Sequence, residues 1–169
     1  DETVTINAGA GAVSVGRIGG SNALSSPDDV EGIKSVAITS THATGITLSG
    51  NITTSDTTDS DVTLTGKVEI DGAVAIDTSA GVDGDITFSS TINAEGGGSN
   101  TESLSVSSGT GTITLGVVGG TTGLDSLVVN SSALTISNNI TTANGLIDIN
   151  APVTPVSYTH LKLPTIYSV

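Results

Sequence analysis

The chain has 169 residues, 36% of them hydrophobic and 2% aromatic, with 17 acidic against 4 basic side chains and a formal charge of −13. Such a length holds one domain with a thin core, the charge excludes nucleic acid and anionic membrane as partners, and the lack of cysteine excludes disulfides and thiolate metal sites. No apolar run approaches a membrane span, so no membrane insertion is expected in this segment.

Before residue 154 the single aromatic is Phe88, while Ser and Thr make up about 30% of the chain and glycine supplies 22 residues. The core must then come from Val, Ile, Leu and Ala, in short strands joined by tight turns. The chain opens at Asp1 without a methionine and inside a repeated block, and we read it as an internal fragment.

That block, Val4 to Ser26 (VTINAGAGAVSVGRIGGSNALSS), recurs as Leu104 to Ser126 (LSVSSGTGTITLGVVGGTTGLDS) with seven identities in 23 positions. Five of the identities are glycines, and the apolar positions Val4, Ile6, Val13, Val15, Ile18 and Leu24 face Leu104, Val106, Ile113, Leu115, Val118 and Leu124. Preservation of turns and of inward side chains is the mark of stacked copies of one unit. Further on, Thr44 to Thr54 matches Ser132 to Thr142, and Val62 to Val68 matches Ile147 to Val153. The offset falls from 100 to 88 to 85 residues, most of the loss lying opposite Pro27 to Ser35, which reads as a loop thrown out from one corner. A single helical turn is expected around Asp28 to Lys34. The organisation is thus 1–103 as a first long repeat, 104–154 as a shortened second one, and 155–169 as a tail.

Alternating triplets recur along both copies: Val4-Thr5-Ile6, Val13-Ser14-Val15, Ile46-Thr47-Leu48, Val62-Thr63-Leu64, Val68-Glu69-Ile70, Val74-Ala75-Ile76, Ile86-Thr87-Phe88, Leu104-Ser105-Val106, Ile113-Thr114-Leu115 and Leu134-Thr135-Ile136. Period two over three to five residues predicts strands with one buried face. Between them Asn7, Gly19-Gly20, Gly50-Asn51, Asp71-Gly72, Asp83-Gly84, Gly96-Gly97-Gly98 and Asn144-Gly145 mark corners. Composition changes at Thr154: the last 15 residues hold both tyrosines, yet no glycine or acidic residue. Val156 to Thr165 resembles a translated sequencing-library adapter, departing from it only at Lys162, and the tail is left out of the fold reasoning.

Triplets and glycine corners predict an all-β fold, a parallel β-solenoid with Val, Ile and Leu stacked inside and Thr and Ser outside. Coils of about 20 residues would give about seven coils, about five in each long repeat. The alternative is a tandem of immunoglobulin-like β-sandwiches, whose strands are usually longer and whose cores use aromatics. A piece cut from such a rod exposes open strand edges, so end-to-end association or fraying is expected.

The runs GTGTITLGVVGGTTGLDSLVV and GDITFSSTINA resemble the repetitive surface proteins of bacteria, the filamentous-haemagglutinin-like adhesins and autotransporter passengers. The resemblance covers Val4 to Val153. It implies export to the cell surface, a right-handed β-helix, and an adhesive or matrix role, with host-surface or matrix glycans or proteins, and neighbouring repeats of the same chain, as partners.

Few residues suit chemistry. His42 is the one histidine before the tail and reads as a corner residue, since no nucleophile elbow accompanies it. Asp83 with Asp85, and Asp59 with Asp61, precede inward residues and share the outer face by alternation. Such pairs would serve a polysaccharide lyase or hydrolase, or hold Ca²⁺ in a matrix module, although only Arg17, Lys34 and Lys67 would be at hand to neutralise an anionic substrate. A nonapeptide Ca²⁺ repeat is not completed after Gly96-Gly97-Gly98, and Asp56, Asp59 and Asp61 do not recur in copy two. Gly9-x-Gly11 and Gly109-x-Gly111 are corners rather than phosphate loops. Asn51, Asn130 and Asn139 satisfy the glycosylation sequon, as chance allows in so Ser/Thr-rich a chain. We expect a structural stalk segment with no catalytic residues, metal or cofactor.

Overall fold

The computed structural model describes residues 2–20, 33–55, 60–80, 84–96, 101–143 and 145–155. Among these residues fourteen strands form: β1 (Glu2–Asn7), β2 (Val13–Val15), β3 (Ile33–Thr39), β4 (Ile46–Leu48), β5 (Ile52–Thr53), β6 (Val62–Thr65), β7 (Val68–Ile70), β8 (Ala73–Asp77), β9 (Ile86–Phe88), β10 (Ile92–Ala94), β11 (Ser103–Leu115), β12 (Ser126–Ile136), β13 (Ile147–Asn150) and β14 (Val153–Pro155). No helix occurs among the described residues. All ten triplets lie on strands, because two β-branched or leucine side chains flanking a small polar one suit a ladder that is buried on one face.

Every pairing among these strands is parallel, and the pairings fall into three ladders. Ladder A stacks β1, β3, β6, β9, the second half of β11, the second half of β12, and β14. Ladder B stacks β2, β4, β7 and β10, and single bridges from Ile92 to Val118 and from Val118 to Ile140 continue it. Ladder C begins at the Ile18 to Ile52 bridge and runs through β5, β8, the first halves of β11 and β12, and β13. The chain visits A, B and C in that order, again and again. All-parallel pairing rules out the antiparallel sandwich.

The three ladders share one core. Ile38, Leu64, Ile86 and Ile113 from A, Ile46, Leu48 and Ile70 from B, and Ile52, Ile76 and Val129 from C belong to a single cluster of buried side chains, with Phe88 the largest. Each fully buried Val, Leu or Ile is worth about 1.5–3 kcal/mol relative to exposure, and strands about 4.8 Å apart let like side chains stack directly. Among the described residues the exposed large hydrophobics, Leu146, Ile147 and Val153, lie on or beside β13 and β14.

Three expectations need correction. Successive neighbours on ladder A, from Val4 through Val36, Val62, Ile86, Ile113 and Leu134 to Val153, are 32, 26, 24, 27, 21 and 19 residues apart, so the spacing along the ladder is neither uniform nor always near 20. The corners absorb the difference: loop length costs little free energy once the ladder closes. Secondly, β11 and β12 have 13 and 11 residues because each crosses from ladder C to ladder A without a loop, with register shifts between Ser107 and Thr112. Thirdly, Ile33 to Ser35, placed by the sequence in a loop and helical turn, belong to β3, where Ile33 pairs with Glu2 and Ser35 with Thr3. The rest of the proposed loop, 27–32, lies outside the described residues, as does 156–169.

Candidate functional site

The surface is built by the residues that alternate with the core. On ladder A the central outward positions are Thr5, Ala37, Thr63, Thr87, Thr114, Thr135 and Thr154, all register neighbours. Threonine suits this place: its branched Cβ fits the pleat and its hydroxyl faces water. The hydroxyls of Thr63, Thr87, Thr114 and Thr135 make no hydrogen bond among the described residues. The row itself, six threonines and one alanine, is uncharged.

The acidic residues just before ladder A have a different task. The Asp61 carboxylate accepts the Asp85 N–H at 2.7 Å, and the Asp85 carboxylate accepts the Thr112 N–H at 2.6 Å. Each carboxylate thereby ties one strand of ladder A to the next through a charge-assisted bond. Asp56, Asp59 and Asp83 lie outside the described residues, so one member of each proposed pair is placed. Asn51 acts in the same way, its side-chain oxygen accepting the Ala75 N–H at 2.9 Å, and Asn130 accepts from the Asn150 side chain at 3.2 Å.

A second acidic group forms at the end of ladder B. The pairing of Ile70 with Ala94 brings Asp71 beside Glu95 in the following positions. Repulsion by Asp71, then partial desolvation and a hydrogen bond to Asp71, then the charges of Glu69 and Glu102, hold the Glu95 carboxyl above its ordinary value of 4.5. Lys67 offsets one of these charges, its ammonium lying 2.7 Å from Glu69 Oε1. Among the described residues no three His, Asp or Glu side chains are arranged to hold a metal ion.

His42 stands in the corner between β3 and β4, where its Nδ1 accepts the Thr44 N–H at 3.2 Å and lies 2.5 Å from the Thr44 hydroxyl. It closes its own turn. Gly9-x-Gly11 is likewise a corner, with Gly11 N–H donating to the Ala8 carbonyl at 2.8 Å and Gly9 N–H to Asn7 Oδ1 at 3.2 Å.

Sequence reasoning missed the buried hydroxyls that clamp the corner from ladder C to ladder A. Thr78 Oγ1 donates to the Gly84 carbonyl at 2.6 Å, Thr54 Oγ1 to Ser60 at 2.5 Å, and Ser108 Oγ to Gly111 at 2.8 Å. All three are buried. The signal was there, since Thr78 continues the inward phase of Val74 and Ile76, and Ser108 that of Leu104 and Val106. A hydroxyl in an inward phase caps the apolar series and answers a carbonyl that would otherwise be buried unpaired. Asn93, 2% exposed, was also missed; its Oδ1 accepts the Thr121 N–H at 2.9 Å.

Compared with protein-family models, curated proteins and solved structures, the chain matches none.

Proposed function

We propose that the chain is a stalk segment of a large, repetitive, extracellular bacterial surface protein, wound as a right-handed parallel β-helix and carrying no catalytic machinery. The observation that supports this most is the sharing of one core by three parallel ladders visited in fixed order; parallel crossovers are right-handed in nearly all proteins. A stack held by neighbour-to-neighbour terms resists extension along its axis and projects corner loops outward. Host-surface or matrix glycans or proteins are the partners that such loops would meet.

Use of the outer carboxylates also favours the stalk over a lyase or hydrolase. Asp61 and Asp85, the described candidates for acid and base, are committed to main-chain N–H groups of the next coil. Pulling the chain from its ends in single-molecule force spectroscopy tests the stalk. We expect coils to yield one at a time, each releasing about 60–115 Å of contour from 19 to 32 residues at the extended reach of about 3.3–3.6 Å per residue. Release of sugar products from acidic or neutral glycans, or a single event releasing the whole contour, would overturn the reading.

A further inference from the structure

The duplication in the sequence and the ladders in the structure do not share a period, and the mismatch is the same throughout. Val4 is on ladder A, but its counterpart Leu104 is on ladder C opposite Val74. Val13 is on B and Ile113 on A, while Ile18 is on C and Val118 on B. The later blocks step the same way: Ile46 on B against Leu134 on A, Ile52 on C against Ile140 on B, Val62 on A against Ile147 on C, and Val68 on B against Val153 on A. Every counterpart sits one ladder back.

Local structure is nonetheless kept. Gly9 and Gly109 have φ of 52° and 58°, and Gly19 and Gly119 have 68° and 70°. A Cβ on Gly19 would stand 2.1 Å from the Thr53 carbonyl oxygen of the next coil, and one on Gly119 would stand 2.0 Å from that of Thr141. The Gly-x-Gly corner turns the chain from A to B in the first copy and lies within β11, from C to A, in the second. The motif has moved to another edge without changing its own conformation.

From Val4 the path to Leu104 takes eleven ladder steps, through Val13, Ile18, Val36, Ile46, Ile52, Val62, Val68, Val74, Ile86 and Ile92. We infer that the duplicated unit fills eleven ladder positions, three and two-thirds circuits, so that each copy is turned back by one ladder and presents equivalent surfaces on a different side of the stack. This rests on the coiled reading above. Its physical basis is that the three ladders make one demand, two inward apolar residues around an outward polar one, so a triplet seats equally well on any of them. The number of triplets in the unit then sets the phase, and corners can lengthen or shorten without changing it. In an array of such units, three copies would bring every corner to all three edges before the pattern returned to its starting side.

The chain has no cysteine, so introduced pairs report without background. Neighbouring strands lie about 4.8 Å apart, within the Cα range that a disulfide spans. The control is Thr63→Cys with Thr87→Cys, neighbours on ladder A within copy one. Thr87→Cys with Thr114→Cys joins the copies in the rotated phase, whereas Thr87→Cys with Ser105→Cys would join them if the copies were in phase, since Ser105 is the counterpart of Thr5. Under mild oxidation we expect the first two pairs to close within the monomer and the third to stay reduced, because Ser105 pairs with Ala75 on ladder C. With the control closed, closure of the Thr87/Ser105 pair or failure of the Thr87/Thr114 pair overturns the rotated phase. Failure of the control overturns the coiled reading itself, and the phase with it.

Discussion

Thr78 is 0% exposed and spends its hydroxyl on the Gly84 carbonyl across the corner. Replacing it with alanine leaves that acceptor buried and unanswered, a loss of about 1–3 kcal/mol. Urea denaturation of Thr78→Ala should show this as a lower midpoint with an unchanged slope, and an unchanged midpoint would contradict the clamp. Glu95 makes a prediction of the opposite kind. Its pKa is raised in the folded chain, chiefly by Asp71, so the fold binds a proton more readily than the unfolded chain does. The contribution of Glu95 to stability is then fully present below the ordinary value of 4.5 and is lost as pH rises through the folded value. Glu95→Gln should remove that dependence and leave the variant more stable than the parent at pH 7, as urea midpoints at pH 4 and pH 7 will show. Equal pH dependence in the two proteins would count against the pairing of Asp71 with Glu95.

At the scale of the element, the triplets were legible because alternation of Val, Ile and Leu with Thr or Ser has one reading, a strand with a wet face. The corners were legible only as places. Gly19 was marked as a corner and Gly119 is its counterpart in the repeat, but what makes glycine necessary at 119 is the neighbouring strand segment: φ is 70°, and a Cβ would meet the Thr141 carbonyl oxygen at 2.0 Å. No local signal carries a contact made by a residue 22 positions later. Gly119→Ala should therefore cost more than the roughly 1 kcal/mol of an ordinary glycine-to-alanine strain, with hydrogen-exchange protection lost first at Val118 and Thr141, whose N–H groups bond across this point. A variant as stable as the parent would contradict the close approach. The length of β11 was hidden for a related reason, since Gly109-Thr110-Gly111 reads as a break and only the ladder on both sides draws it into one strand.

For the whole molecule, parallel stacking was foreseeable from the shortness of the triplets and the scarcity of aromatics, which starve a two-layer core. The spacing along each ladder was not, because the ladder fixes the strands and leaves the corners between them free to vary in length. The outer carboxylates show the same limit: the pairing of Asp83 with Asp85 and of Asp59 with Asp61 suggested a task toward a ligand, and the described members, Asp85 and Asp61, each accept a backbone N–H from the neighbouring position on the ladder. Each ladder joins residues far apart in the chain, in parallel and in fixed register. Hydrogen-bond scalar couplings measured by NMR report such pairings one bond at a time. They should link Val62 N–H to the Asp85 carbonyl, Ile46 N–H to Lys67, and Leu127 N–H to Leu146, one bond from each ladder. Reciprocal couplings between facing residues, the pattern of antiparallel strands, would contradict it.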